Sequence, residues 1–277
     1  MIVVTHDRRD DVQECLAPLT SERLERLGAE VIVLDDASTD GTADLLATRF
    51  PWMRILVNST NVGPGPARNM AAAESHGDLL VFLDSDAVPC EGWLETLAGA
   101  DDGETVLIGR LLDYTTGAVQ YGSRRATFLG KSLPCRLGRV NTGTTANMAV
   151  PKKRFDEVSG FDPDLPYYFE DSWLCIRLGR AGAPFRYVAD AIVRHKGDTV
   201  KRGDKVRMQE HNSTYAMLKF YADAPVWRAG FTVCNAVWMG WRWTVWSLTG
   251  RGVDAILLWQ GWVTAHRRFA ERGRTAE

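Results

Sequence analysis

Two aspartates one residue apart, Asp84 and Asp86, follow a run of five apolar residues, Leu79 to Leu83. The run is short and is preceded by Gly77 and Asp78, so it predicts a buried strand. The aspartates then stand where that strand leaves the sheet. Two carboxylates held this close cost Coulomb and desolvation energy unless a cation or hydrogen-bond donors offset them. Hard oxygen ligands suit Mg²⁺ or Mn²⁺, which commonly hold substrate phosphates as well. Open α/β sheets gather ligands outside the carboxyl ends of their strands. For an isolated pair a solvated turn is the better explanation, so the rest of the chain has to decide.

Four further constellations bear on that choice. In VIVLDDASTDGT, residues 31–42, Asp35 and Asp36 again follow an apolar strand. An aspartate there can accept from a ribose hydroxyl or a base N–H, or simply cap the next helix. In NVGPGPARNMA, residues 61–71, Gly63 and Gly65 permit a tight turn before Arg68 and Asn69 open a helix. A basic group beside a helix N-terminus suits a diphosphate, although glycines are common in loops. In YYFEDSWLCIRLGRAG, residues 167–182, Glu170 and Asp171 begin a helix. Acids in a first turn complement the helix dipole; aimed into a cleft, one becomes a general base. His195 ends the apolar stretch AIVRH, either as surface filler or as a nitrogen ligand beside the aspartates.

The elements that must position these residues alternate through the first half. Strands are expected at Ile2–Thr5, Val31–Leu34, Ile55–Val57 and Leu79–Leu83. Helices are expected at Asp10–Leu27, with an irregularity at Pro18, and at Thr42–Phe50 and Ala67–Ser75. This order predicts an α/β fold with a mostly parallel central sheet flanked by helices. Beyond it, Thr105–Leu112, Ala118–Tyr121, Ala146–Val150, Phe185–Val188 and Ala191–His195 read as strands. Residues 122–145 read as a long loop, Asp171–Ala181 as a helix, and everything after Asp204 as helical.

With 277 residues, 45% of them hydrophobic and 25% charged, the chain can bury a substantial core. A net charge of −2 excludes any global signal for nucleic acid. The balance is uneven: residues 201–277 hold 12 Lys/Arg against 6 Asp/Glu. Five scattered cysteines without a CxxC point to a reducing, cytoplasmic setting. Met1 runs straight into a strand, and no apolar stretch has the length of a transmembrane span.

The motifs in this order resemble the family 2 glycosyltransferases, which have the GT-A fold. IVVTHDR resembles their opening strand, VLDDASTDGT their VDDGSTDGT segment, and NVGPGPARN their NxGxxxARN stretch. FLDSDA resembles their metal-binding DxD, FEDSWLCIRLGRAG their EDxxLxxR helix, and RHKG their late histidine. His6-Asp7 stand where that family usually has Tyr or Phe. The resemblance implies an inverting transferase with a divalent cation, Mn²⁺ or Mg²⁺, and a nucleotide diphosphate-sugar donor (UDP-, dTDP- or GDP-linked). It implies that Thr5, Asp7, Asp36, Asn61, Arg68, Asp84 and Ser85 contact the nucleotide. It implies that Asp84, Asp86 and His195 hold the metal, and that Asp171 is the catalytic base. Thr144, Thr145, Glu170 and Trp173 would line the sugar. The expected domains are 1–200, divided at residue 100 into nucleotide and acceptor halves, and a helical extension 201–277. The expected acceptor belongs to cell-envelope polysaccharide or glycolipid. A small natural product, or a catalytically silent sugar-binding protein, is the alternative.

The extension carries seven of the ten tryptophans between residues 226 and 262. Trp227, Phe231, Cys234, Trp238, Trp241, Val245 and Leu248 follow helical spacing, and Arg228, Asn235 and Arg242 recur on a flanking stripe. Packing on the catalytic domain, contact with a second subunit, and attachment to the inner membrane face all suit such a helix.

Overall fold

The computed structural model describes residues 1–136, 140–197 and 202–275. The expected boundary at residue 200 lies outside the described residues. The chain begins with β1 (Ile2–Thr5), α1 (Arg9–Leu16), α2 (Ser21–Leu27), β2 (Ile32–Asp35), α3 (Thr42–Arg49), β3 (Arg54–Val57), α4 (Pro64–Ala73) and β4 (Leu79–Asp84). There follow β5 (Ala87–Pro89), α5 (Trp93–Ala100), β6 (Val106–Asp113), β7 (Val119–Tyr121), β8 (Arg124–Ala126) and β9 (Ser132–Pro134). A 3₁₀ turn at Thr145–Asn147 leads into β10 (Met148–Pro151), α6 (Lys152–Glu157), α7 (Glu170–Arg180) and β11 (Phe185–His195). Three long helices close the chain: α8 (Arg202–Phe220), α9 (Pro225–Leu248) and α10 (Gly252–Thr275).

Three expectations change on inspection. The helix expected over Asp10–Leu27 is two helices, because Pro18 cannot donate its missing N–H to a continuing turn. The second restarts at Thr20, whose hydroxyl accepts from the Arg23 N–H, and ends at Gly28 with φ 60°. The two strands expected after Gly182 are one, β11, with a register shift between Val188 and Ile192. The stretch expected to be a loop, 122–145, holds β8, β9 and the start of the 3₁₀ turn.

Among the described residues the main sheet runs β3-β2-β1-β4-β10-β6-β11-β5, with β7 on β6. It is parallel from β3 to β4 and again between β6 and β11. It is antiparallel where β10 enters between β4 and β6, and where β5 pairs with β11. Alternate residues go to opposite cores. Val3, Val33 and Leu83 pack on one face; Ile2, Ile32, Leu34 and Phe82 pack on the other. Each such burial contributes about 1.5–3 kcal/mol, so register is strongly specified and the strand ends fall in fixed places.

The chain divides into two compact units: Met1–Arg125, Pro134–Pro166 and Glu170–Gly197 form the first, and Ala126–Leu133, Tyr167–Phe169 and Asp198–Glu277 the second. In the second unit, buried Glu210 of α8 pairs with Lys131 at 3.1 Å and Arg242 of α9 at 3.3 Å. Tyr168 and Phe169 take positive φ values, 53° and 76°, and the Asn212 amide donates to the carbonyls of Tyr167 and Tyr168. On α9 the expected apolar face is divided. Phe231 is buried and Trp238 half-buried, while Trp227, Cys234, Trp241 and Leu248 are exposed.

A buried amide ties the first unit's sheet together. Asn147 donates to the carbonyls of Arg110 on β6 (3.0 Å) and Ala191 on β11 (2.8 Å). Its Oδ1 accepts from Trp93 Nε1 of α5 at 2.8 Å. Gly109 makes room: a Cβ there would lie 2.2 Å from the Asn147 amide nitrogen. Asn147→Ala should therefore cost about 3 kcal/mol or more, since it orphans three buried groups at roughly 1–3 kcal/mol each. Gly109→Ala should cost roughly 1–3 kcal/mol by overpacking. Urea unfolding checks both, and unchanged midpoints would contradict the clamp.

Candidate active site

The polar residues of interest collect at the carboxyl ends of β1, β2 and β4. β4 delivers Asp84 as its last residue, and Ser85 and Asp86 follow, both buried. The antiparallel pairing of β5 with β11 sets His195 opposite Ala87. His195 Nε2 thereby lies 3.3 Å from Asp86 Oδ1, and the Asp86 carbonyl accepts from Lys196 N–H at 3.0 Å. One ligand atom from each of Asp84, Asp86 and His195 lies within 4.8 Å of the others. Two carboxylates and an imidazole at this spacing are compatible with a divalent metal ion. The ring's other nitrogen, Nδ1, is 2.9 Å from Gln120 Oε1, a contact that orients the imidazole.

A guanidinium balances the acids. Arg68 of α4 donates to Asp84 Oδ1 at 2.7 Å and to Glu170 Oε1 at 3.2 Å, with 7% of its side chain exposed. Thr145 Oγ1 donates to the same Asp84 oxygen at 3.1 Å. Burial alone would lower the Arg68 pKa; Asp84, Glu170 and Asp171 outweigh it and hold the group charged. The α7 acids feel the opposite pressure. Burial, then the neighbouring Asp171 charge, pushes Glu170 up to about 7 against the pull of Arg68. Burial raises Asp171 as well, while Ser172 N–H (2.5 Å) and the Thr144 hydroxyl donate to it and favour its charged form. A carboxylate pair desolvated in this way is one that can accept a proton.

Further along the strand ends lies a second polar group. Thr5 and Asp35 are paired across β1 and β2. Thr5 Oγ1 and Asp35 Oδ2 are both buried without a hydrogen-bond partner. Asp35 Oδ1 accepts from Ser38 N–H at 2.9 Å. Buried unsatisfied groups cost roughly 1–3 kcal/mol each, so these two atoms are open to a polar partner. Asp36 is engaged differently: it accepts from Asn58 Nδ2 (2.7 Å), Val62 N–H (3.1 Å) and Gly63 N–H (2.9 Å). It holds the turn that starts α4. Asn61 Oδ1 accepts from the same Gly63 N–H at 3.1 Å. Asp7, with φ 47°, accepts from Thr39 N–H at 2.7 Å and joins the β1 and β2 loops. Trp173 is buried, its indole N–H donated to Asp162 at 2.9 Å.

Several neighbours escaped the motif reading. Arg8 approaches Asp86 Oδ2 at 3.6 Å while bound to Asp11 at 3.0 Å. Lys196 bridges Asp11 (2.9 Å) and Glu14 (2.5 Å) beside them. Asp35 was available in the sequence as half of a DD pair. Gln120 carried no signal, because only the pairing of β7 with β6 brings it to His195.

Residues 1–158 match the family model described as Glycosyl transferase family 2. Glycosyltransferase AglE of Haloferax volcanii is 28% identical over 204 residues, 70% of this chain and 66% of that protein. The pre-mycofactocin glycosyltransferase of Mycobacterium tuberculosis is 28% identical over 265 residues, 90% of this chain and 54% of that one. The chain thus spans less than two thirds of either relative. The N-acetylglucosaminyl-diphospho-decaprenol L-rhamnosyltransferase of M. tuberculosis is 27% identical, covering 79% of this chain and 83% of its own length. Among solved structures, the mannosyltransferase PcManGT of Pyrobaculum calidifontis, in complex with GDP-Man and Mn²⁺, aligns with a TM-score of 0.60 at 15% identity. It covers 95% of this chain and 86% of that one. S. aureus TarS 1–349 with UDP-GlcNAc aligns at 0.56 and 20% identity, over 78% of this chain and 65% of that one. The shared architecture is the GT-A fold.

The raised Glu170 pKa has a consequence for stability. The native state keeps this proton longer than the unfolded chain, whose Glu titrates near the ordinary 4.5. Glu170's contribution is thus complete below about pH 4.5 and is lost as pH rises through about 7. In metal-free protein, Glu170→Gln should raise the melting midpoint at about pH 8 by roughly 5 °C, and by much less at about pH 5. Calorimetry at both pH values checks this, and a gap that does not widen with pH would refute the assignment.

Proposed function

The chain belongs to glycosyl transferase family 2, and from that membership and the site's geometry we propose that it transfers a sugar from a nucleotide diphosphate-sugar to an acceptor hydroxyl, inverting the anomeric carbon. The observation that carries the proposal is the convergence of Asp84, Asp86 and His195 within 4.8 Å beside the Arg68–Glu170 pair. The carboxylates and the imidazole suit Mn²⁺ or Mg²⁺, and a cation held by them would offset charge on the departing diphosphate. Arg68 and Thr145 both use Oδ1 of Asp84, leaving its second oxygen for the cluster.

Asp171 is the base in this reading. It takes the acceptor's proton as that oxygen bonds to the anomeric carbon, and the bond to the diphosphate breaks. Glu170, fixed by Arg68, keeps the start of α7 in place. Thr144 holds the Asp171 carboxylate and Thr145 holds Asp84, so the 3₁₀ turn borders the sugar. Thr5 and Asp35 supply the buried donor and acceptor for the base, with Asp36, Asn61 and Asp7 shaping the loops around it.

For the acceptor, the rhamnosyltransferase relative, named for a diphospho-decaprenol-linked sugar, supports a cell-envelope glycan or glycolipid. The pre-mycofactocin relative supports a second reading, a small natural product. The reaction would run in the cytoplasm, on the inner face of the membrane for a lipid-linked acceptor. A thermal-shift screen of UDP-, dTDP- and GDP-sugars with Mn²⁺ identifies the donor; no shift with any of them would count against the proposal. Asp171→Asn should keep donor affinity by calorimetric titration and lose roughly 10²–10⁴-fold in single-turnover transfer. Asp86→Ala should abolish the rise in nucleotide affinity on adding Mn²⁺.

A further inference from the structure

α9 is built inside out. Its two charged residues, Arg228 and Arg242, and its buried amide, Asn235, recur every seven residues and all turn inward. Arg242 ends at Glu210 (3.3 Å) with its guanidinium 4.4 Å from the Trp246 ring. The outward residues are uncharged along the whole helix, about 36 Å at 1.5 Å per residue. Val226, Trp227, Val233, Val237, Trp241 and Leu248 are between 58% and 82% exposed. A helix surrounded by water shows the reverse arrangement. The pattern continues past the turn onto the first half of α10, where Val253, Ile256 and Trp259 are exposed.

Charge around this face selects its partner. Residues 225–275 hold seven arginines and no lysine against two acids, Asp254 and Glu271. Arg251, at the hairpin turn, lies 3.8 Å from the Trp246 ring, and Arg267 and Arg272 are exposed on the far half of α10. Guanidinium groups against tryptophan rings at the margin of an apolar face match the phosphate and upper acyl layers of a bilayer. A second copy of the chain docked through this same face would bring the same arginine excess and only those acids to meet it. Among the described residues, no helix is long and apolar enough to cross a membrane.

We propose that the α9–α10 hairpin lies in the plane of an anionic lipid surface, with Val233, Val237, Trp241 and Leu248 in the acyl boundary and the outer arginines, Arg251, Arg267 and Arg272, at the phosphates. The proposal stands on α9 and α10 and does not depend on the sugar-transfer reading. The test is flotation of the full chain with phosphatidylcholine vesicles, with and without about one third phosphatidylglycerol, followed by tryptophan emission. The expected result is flotation with the anionic vesicles, a blue shift of emission, and weaker binding at high salt. The double variant Val237→Glu/Leu248→Glu changes two exposed positions and should lower partitioning at least about tenfold. Its circular dichroism and thermal midpoint should match the parent's. Equal flotation of parent and variant would overturn the proposal. So would a failure to float with either vesicle, or a dimer in sedimentation that the variant dissociates in place of lipid binding.

Discussion

Arg68 sits almost fully buried between Asp84 and Glu170, with Asp171 close enough to add to its charge balance, and the placement of three elements follows from keeping it there. Removing the cation from among these acids would leave buried charge uncompensated, which typically costs 3–5 kcal/mol, so β4, α4 and α7 must converge on it. The start of α4 is adapted to that demand. Gly63 takes φ 90° and Pro64 opens the helix. Gly65 donates to the Pro166 carbonyl at 3.2 Å. The next polar residue, Asn69, both donates to and accepts from the Phe161 backbone at 2.8 Å. One turn of helix thus aims a cation into the site and clamps the segment leading toward α7.

Around Asp86 the charges form a chain rather than a pair. Arg8, Asp11, Lys196 and Glu14 alternate in sign, and Tyr114 donates to Glu14. Partly exposed pairs of this kind are worth little to stability, about 0–1 kcal/mol each. Their effect is local: they hold the Arg8 guanidinium 3.6 Å from Asp86, beside acids that would otherwise repel one another. Helix α1 and the residue after β11 are brought together by this chain, although 185 residues separate Asp11 from Lys196.

The parallel half of the sheet was legible because each strand is a short apolar run and the segments between carry apolar residues at helical spacing. Asp84, Asp86 and Asp171 were legible because acids at the ends of apolar segments are conspicuous. His195 carried a weaker signal; its closeness to Asp86 depends on β5 pairing antiparallel to β11, which no local pattern encodes. The division of work within Asp35-Asp36 was also hidden. Asp36 spends its oxygens on Asn58, Val62 and Gly63, contacts that exist only once the 58–63 turn has folded back. On α9, heptad-spaced Arg228, Asn235 and Arg242 looked like a flanking polar stripe. They point inward because Arg242 meets Glu210 and Asn235 meets Thr214, both on α8, while Arg228 donates to the Ala222 carbonyl, partners that lie outside the helix itself.

The insertion of β10 between β4 and β6 also governs how the chain meets its surroundings while it is being made. β4 gains its antiparallel neighbour only from Met148–Pro151, about 60 residues after its own last residue. At a synthesis rate of about 5–20 residues per second, that leaves several seconds with β1 on one side and nothing on the other. During that interval LLVFLD is an apolar edge strand, the kind that pairs with other chains. Asp84 and Asp86 stand at its end and at the next residue but one. On the ribosome, before any ligand is involved, they put negative charge at the end of an apolar strand that still lacks a neighbour, an arrangement that opposes aggregation.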